Sequence, residues 1–196
     1  MCGIIGAASS RSVGKILVNG LKKMEYRGYD SAGLVLNQKE RVHKLRTIGK
    51  VSNLEDLMVQ KKPVAKSGIA HTRWATHGEP SETNAHPHES NESIYIVHNG
   101  IIENHDALRK RLASEGYKIE SQTDSELIAH LIHSNKSNGK NTLEALIEST
   151  KELHGAYSIA VIDADQKGKI YAAKQKSPLL IGKGICLLYT SDPADE

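Results

Sequence analysis

Cys2 is the residue of this 196-residue chain whose type and position most directly suggest chemistry. It follows the initiator methionine, and removal of Met1 leaves a cysteine with a free α-amine. Such an amine has a reference pKa of about 7.7 to 8.0, so near neutral pH it can accept the proton of its own thiol. One residue then supplies both a nucleophile and its base. The alternative is that Cys2 is a small, inert, apolar start of a buried strand.

A second group of chemically suggestive residues is the block His71-Thr72-Arg73-Trp74-Ala75-Thr76-His77-Gly78. It follows a predicted strand and opens a long polar segment, a place where ligands are often held. The planar guanidinium of Arg73 suits a carboxylate. The alternative is that Trp74 is a core anchor and Arg73 is a surface charge.

Asn99 and Gly100 end another predicted strand. An amide side chain followed by an unobstructed backbone N–H can stabilise a developing oxyanion, although Asn-Gly is also a common turn. Asp124 is predicted in the first turn of a helix that Thr123 and Glu126 cap as a box. The helix dipole favours a carboxylate at that position, so a purely structural role remains open.

The hydrophobic periodicity predicts the elements that would position these residues. Apolar residues at helical spacing predict helices over residues 13–24, 106–115, 124–134 and 142–153. Short apolar runs predict strands over residues 2–8, 32–36, 42–45, 67–72, 94–98, 156–163, 169–173 and 179–182, with the second and third forming a hairpin. Residues 46–66 are weakly patterned. Strands, paired helices and strands again predict an α+β fold in layers.

Composition excludes several classes of function. The net charge is +3, from 26 basic and 23 acidic residues that are spread along the chain. We therefore expect no nucleic-acid partner and no anionic membrane partner. No run approaches the roughly 18 apolar residues of a membrane helix, and the N-terminus lacks a signal-peptide pattern, so we expect a cytoplasmic protein. Two cysteines, Cys2 and Cys186, cannot form a disulfide framework.

A metal site is the weaker interpretation of the histidine-rich segment. Six of the ten histidines fall between His71 and His105, but their spacing is irregular and no cysteine lies near them. The chain also lacks a glycine-rich phosphate loop. We expect neither a metal nor another cofactor.

Taken together, these motifs resemble a known enzyme family. The start Met1-Cys2-Gly3-Ile4-Ile5-Gly6 resembles that of the N-terminal-nucleophile glutamine amidotransferases in general. Residues 26–33, 71–78, 84–88 and 98–104 are most similar to the glucosamine-6-phosphate synthase family, also called glutamine-fructose-6-phosphate aminotransferase (isomerizing). The resemblance covers roughly residues 2–184. It implies a four-layer αββα sandwich of the N-terminal-nucleophile hydrolase type.

The resemblance also implies a role for each candidate residue. Cys2 attacks the side-chain amide of glutamine and forms a glutamyl thioester, while Asn99 and Gly100 stabilise the oxyanion. The glutamine-binding residues would be Arg73 for the α-carboxylate, Asp124 for the α-ammonium, and Trp74, Thr76 and His77 beside them. Arg27 would have a supporting role near the nucleophile. In the family the ammonia aminates fructose 6-phosphate, which binds to a sugar-isomerase domain that is absent here.

Residues 185–196 depart from the family's pattern and look like translated adaptor DNA. We therefore expect an incomplete glutaminase domain over residues 2–184 that lacks the last strands of the sandwich, and no function for Cys186. Two alternatives stay open. One is the glutaminase module of another amidotransferase, of the amidophosphoribosyltransferase type, and the other is a non-catalytic module in which Cys2 is structural.

Overall fold

The computed structural model describes residues 2–38, 41–74 and 78–183, and the backbone of residues 187–189. The described strands are β1 Gly3–Ser9, β2 Ser31–Asn37, β3 Val42–Ile48, β4 Ser67–Arg73, β5 His88–Ser90, β6 Ile94–Ile102, β7 Gly155–Asp163, β8 Tyr171–Gln175, β9 Gly182–Lys183 and β10 Leu187–Tyr189. The described helices are α1 Gly14–Met24, α2 Val51–Lys61, α3 His105–Ser114, α4 Ser125–Ser137 and α5 Thr142–Glu152, and a 3₁₀ turn, Glu25–Arg27, follows α1.

The strands form two antiparallel sheets. The first sheet has the order β3-β2-β4-β1-β10-β9, and the second has the order β5-β6-β7-β8. Strand β1 lies inside the first sheet, where its pairing with β4 places Gly3 opposite Thr72 and Ala8 opposite Ser67. Helices α1 and α2 cover the outer face of the first sheet, while α4 covers the second sheet and packs against α3 and α5.

Three apolar layers hold the molecule together. Along β1, Ile5 and Ala7 point towards α1, whereas Ile4 points towards the second sheet. The same alternation along β6 directs Ile96 towards α4 and Val97 towards the first sheet. Both faces of each central strand are therefore buried, as the short continuous apolar runs of the sequence predict. The predicted four-layer αββα sandwich is confirmed.

Helix α2 lies in a stretch for which the sequence predicts no element. Only Val51 and Leu54 are buried on it, so its apolar pattern is too short to recognise. Its first turn is stabilised by a residue far away in the sequence, because the Val51 N–H donates to Oε1 of Glu25 at 2.6 Å. A capping group 26 residues away leaves no local signal in the sequence.

The predicted capping box of α4 is wrong. The helix begins at Ser125 with Asp124 as its N-cap residue, and no side chain caps it there. The Glu126 carboxylate accepts instead from the N–H groups of Glu120 and Ser121, at 2.9 and 2.6 Å. Glu126 therefore fixes the loop before the helix, because its carboxylate satisfies two backbone N–H groups of that loop instead of one at the helix N-terminus.

The backbone of β10 continues the first sheet beyond residue 184. Leu187–Tyr189 pairs antiparallel with both β1 and β9. The domain boundary at residue 184 stays a prediction, and Cys186 lies outside the described residues. In the described part of the chain, no helix is both long enough and apolar enough to cross a membrane.

Gly33 allows a loop to lie directly on the first sheet. It pairs with His71 across β2 and β4, and a Cβ at position 33 would lie 2.1 Å from the carbonyl oxygen of His86. The loop that carries His86 can thus approach the sheet only because residue 33 has no side chain. Gly6 faces the same inter-sheet layer on β1, but a Cβ there would meet only Ile170 and Ile69 side chains at 3.5 Å or more.

We predict that Gly33→Ala lowers the free energy of unfolding by about 1–3 kcal/mol, because the added methyl group displaces backbone. Gly6→Ala, in the same layer, should change it by less than about 1 kcal/mol. Urea unfolding of both variants measures the difference. Equal stabilities for the two would contradict the close approach at Gly33.

Three buried histidines lie together at the end of β4 and the start of β5. The His71 and His86 rings stack with centroids 4.0 Å apart, and His88 meets His86 edge-on at 4.6 Å. Burial lowers the pKa of His71 and of His88 to about 3, and it lowers the pKa of His86 well below the usual value. The three rings are therefore neutral in the folded protein.

We predict that acidification from about pH 7 to about pH 5 destabilises the fold. In the unfolded chain each histidine regains a pKa of about 6.5 and binds a proton as the pH falls. Each ring that stays neutral in the folded protein therefore lowers the free energy of unfolding by about 2 kcal/mol between pH 7 and pH 5. The loss should continue down to the folded pKa. His86→Phe removes one titrating ring and should reduce the loss by about its share. Equal stability at both pH values in urea unfolding would refute this prediction.

Candidate functional site

Cys2 is held at the start of β1, beside the end of β4. Its Sγ accepts a hydrogen bond from the Trp74 backbone N–H at 3.2 Å and lies 3.6 Å from the Trp74 carbonyl oxygen. Burial raises the pKa of the Cys2 thiol, while the Trp74 N–H and the Arg73 charge act to lower it. A thiol with a raised pKa is protonated at neutral pH, so it needs a base to become a nucleophile.

Asn99 reaches Cys2 from the second sheet. Its Nδ2 donates to the Cys2 carbonyl oxygen at 3.0 Å, across 97 residues of sequence. The alternative of an Asn-Gly turn is excluded, because β6 continues through both residues to Ile102. Gly100 has φ +136, and a Cβ there would lie 2.1 Å from the carbonyl oxygen of Ala156. Only glycine fits this conformation beside β7.

Arg73 ends β4 and is buried, which excludes its interpretation as a surface charge. Burial lowers the pKa of its guanidinium, whereas nearby Cys2, Asp30 and Asp124 act to raise it. An arginine nevertheless stays protonated in a protein. A permanent positive charge therefore lies close to both the thiol and the Asp124 carboxylate.

Trp74 is 42% exposed, so it is not the core anchor of the alternative interpretation. Its ring meets the Tyr29 ring edge-on, with centroids 5.5 Å apart. Tyr29 and the neighbouring Tyr26 are also exposed. An aromatic surface thus lies beside Cys2, where it can cover a bound ligand.

Asp124 is oriented by three polar groups. Its Oδ2 accepts from the Ile102 backbone N–H at 2.8 Å, and its Oδ1 accepts from the Ser125 hydroxyl at 3.3 Å. Ser125 Oγ in turn lies 2.8 Å from Nδ1 of the buried His98. The Asp124 side chain is still 20% exposed, so the oriented carboxylate can bind an ammonium group from solution.

The segment that begins at Gly78 is fixed by polar contacts. Arg73 donates to the carbonyl oxygens of Gly78 and Glu79 at 3.3 and 3.4 Å. Nδ2 of Asn84 donates to the Glu79 carbonyl oxygen and to Oε1 of Gln122, both at 3.0 Å. The segment from Gly78 to Asn84 is thereby joined to the site through Arg73.

The remaining predicted site residues fall in two groups. Arg27 is buried in the 3₁₀ turn, where its Nε donates to the Tyr26 hydroxyl at 3.1 Å and its guanidinium lies 5.6 Å from the Tyr26 ring centroid. Thr76 and His77 lie outside the described residues. The structure therefore brings together Cys2, Arg73, Trp74, Asn99 and Asp124, with Gly100 adjacent to Asn99.

The sequence assigns no role to His71, yet the structure places this residue against Asn99. Its Nε2 lies 2.9 Å from Oδ1 of Asn99 and 3.2 Å from the His98 carbonyl oxygen. Strand periodicity could have indicated it, because His71 shares a face of β4 with the inter-sheet residue Ile69. No sequence pattern indicates the hydrogen bond from Ser125 to Asp124, because this bond depends on the residue at which α4 begins.

The arrangement combines a thiol, an amide donor and two opposite charges in one place. A cation and an anion at separate positions suit the carboxylate and the ammonium of an amino acid, and the thiol and the amide suit acyl transfer. Among the residues that the structure describes, no three His, Cys, Asp or Glu side chains are arranged to hold a metal ion.

Comparison with known proteins identifies the family of this domain. A family described as "Glutamine amidotransferase domain" matches residues 71–193. The chain is 53% identical over 187 residues to glutamine--fructose-6-phosphate aminotransferase [isomerizing] of Pseudomonas aeruginosa, a match that covers 94% of this chain and 30% of that protein. The chain thus spans about a third of the length of such relatives.

Two solved structures share the fold. One, described as the allosteric regulatory enzyme of purine biosynthesis, has a TM-score of 0.84 and 26% identity, and covers 97% of this chain and 42% of that one. The other, the glutamine phosphoribosylpyrophosphate amidotransferase from B. subtilis complexed with ADP and GMP, has a TM-score of 0.82 and 24% identity, and covers 96% of this chain and 41% of that one. With the family match over residues 71–193, the chain belongs to the glutamine amidotransferase domain family.

Proposed function

We propose that Cys2 is the nucleophile with which this amidotransferase domain releases ammonia from glutamine. The observation that carries the proposal is the hydrogen bond from Asn99 to the Cys2 carbonyl, because it brings an amide donor to the residue that holds the thiol. The Trp74 N–H contact with Sγ supports the same assignment. This proposal replaces the alternative in which Cys2 is only structural.

The reaction needs a base for the thiol, and the α-amine of Cys2 can supply it once Met1 has been removed. The amine takes the thiol proton while Sγ bonds to the amide carbon of glutamine. The carbon–nitrogen bond then breaks, and the amine returns the proton to the leaving nitrogen, which departs as ammonia. Water hydrolyses the glutamyl thioester to glutamate and restores the thiol.

The neighbouring residues divide the remaining work. Asn99 and Gly100 would stabilise the oxyanion, and loss of one such donor typically costs about 10²- to 10³-fold in kcat. Arg73 would bind the α-carboxylate of glutamine, and Asp124 would bind its α-ammonium. Trp74, Thr76 and His77 would bind glutamine beside them, and Arg27 would have a supporting role near the nucleophile.

The ammonia acceptor is the second part of the proposal. The 53% sequence identity to a glutamine--fructose-6-phosphate aminotransferase supports fructose 6-phosphate as the ammonia acceptor, with glucosamine 6-phosphate as the product. Identity to the two purine-pathway structures is only 24–26%, which favours the hexosamine interpretation over an amidophosphoribosyltransferase. A free thiol nucleophile is also compatible with the reducing cytoplasm, where we place the protein.

We predict that Cys2→Ala abolishes glutamate release and that Cys186→Ala does not. A peptide tag that remains on the Cys2 α-amine should abolish release as well, although it leaves the thiol in place. Glutamate production by each variant, and intact mass after treatment with a glutamine-like electrophile, measure this. Activity of Cys2→Ala at the wild-type level would rule out the proposed nucleophile.

We predict that the product of the source gene, read beyond the codon for Gly184, converts fructose 6-phosphate and glutamine to glucosamine 6-phosphate. Sequencing the gene shows whether the reading frame continues, and chromatography of the reaction mixture detects the amino sugar. Amination of a phosphoribosyl substrate instead would overturn the acceptor and leave the glutaminase assignment intact.

A further inference from the structure

The His71 side chain contacts Asn99 from the side opposite to Cys2. His71 lies on β4 in the first sheet and Asn99 on β6 in the second, so their bond crosses the inter-sheet layer. The Nε2 of His71 faces two oxygens, Oδ1 of Asn99 at 2.9 Å and the His98 carbonyl at 3.2 Å. Both oxygens are acceptors, so this nitrogen must carry the proton.

The same two contacts determine which way the Asn99 amide points. Its oxygen accepts from His71, and its Nδ2 donates to the Cys2 carbonyl. The reversed amide would place an N–H group against the His71 donor and an oxygen against the Cys2 carbonyl. Both reversed contacts are repulsive, so the network permits one orientation.

The His71 ring is neutral, so its single ring proton lies on Nε2. Burial lowers its pKa to about 3, and the positive charge of nearby Arg73 acts in the same direction. Its Nδ1 is buried and has no hydrogen-bond partner in the described part of the chain, which agrees with an unprotonated nitrogen there. The ring is also stacked on His86 at 4.0 Å.

We propose that His71 is a positioning residue that keeps the amide NH₂ group of Asn99 turned towards Cys2, where the oxyanion forms. This inference rests on the proposed function, in which Asn99 donates to the oxyanion. An asparagine amide can rotate and present its oxygen instead, and that oxygen would repel the developing negative charge. The bond from His71 prevents this rotation before the substrate arrives.

The first test compares kinetic constants for glutamate release. His71→Leu removes the donor and should lower kcat on the order of 10- to 100-fold while KM changes little. His71→Gln places an amide N–H near the same point and should recover most of that loss. The matched control is His86→Phe. His86 is also buried, and its two ring nitrogens have no hydrogen-bond partner among the described residues, so phenylalanine replaces it with a ring of similar size. This variant should retain kcat.

A double variant separates positioning from any other role of His71. If His71 acts through Asn99, the variant with both His71→Leu and Asn99→Ala should be no slower than Asn99→Ala alone. If the kcat losses of the two single variants multiply in the double variant, the inference is overturned. A kcat loss in His86→Phe as large as that in His71→Leu would also overturn it. If Asn99→Ala itself keeps full kcat, the proposed oxyanion role fails independently of His71.

A spectroscopic measurement needs no substitution. Long-range ¹H–¹⁵N correlation spectra of the wild-type protein distinguish the two imidazole tautomers. We expect His71 to be the neutral Nε2–H tautomer at neutral pH. An Nε2 without a proton would overturn the inference even if His71→Leu does not fold.

Discussion

The pairing of β1 with β4 is the constraint on which the site depends. Chain ends normally fray, yet the residue proposed as the nucleophile stands at the very start of the chain's first strand. Because Gly3 lies opposite Thr72, Cys2 comes next to the segment Arg73–Trp74, where the Trp74 N–H and the Asn99 side chain contact it. The apolar layers on both sides of β1 stabilise this strand, since Ile4 and Ile5 are both buried.

The inter-sheet layer changes its chemistry towards this end of the sandwich. Further in, it is apolar and contains Ile69 and Val97. One step along each of these strands on the same face stand His71 and Asn99, which bond to each other. Polar groups buried between sheets are stable only when they are paired, and here the pairing also aligns one sheet on the other. The rigidity of the site is therefore a property of both sheets together.

The sequence predicted what depends on short-range patterns. Short apolar runs located the central strands, and the residue types of Cys2, Arg73 and Asn99 indicated chemistry that their spatial proximity supports. It could not predict interactions between distant segments. Glu25 caps α2 through a contact between distant segments. The Glu126 side chain bonds to the loop before α4 and not to the first turn of the helix. The resemblance to a family, rather than periodicity, supplied the layer order and the role proposed for Asp124.

The hydrogen bond to the Cys2 thiol comes from the main chain of residue 74 and not from its side chain. The bond is therefore insensitive to the identity of that residue, except for proline, which has no N–H. The exposed tryptophan ring and the sulfur contact are two separable properties of one position. Diversity at residue 74 can reshape the aromatic surface beside Cys2, for other ligands or for engineered ones, without removing the donor that faces the sulfur.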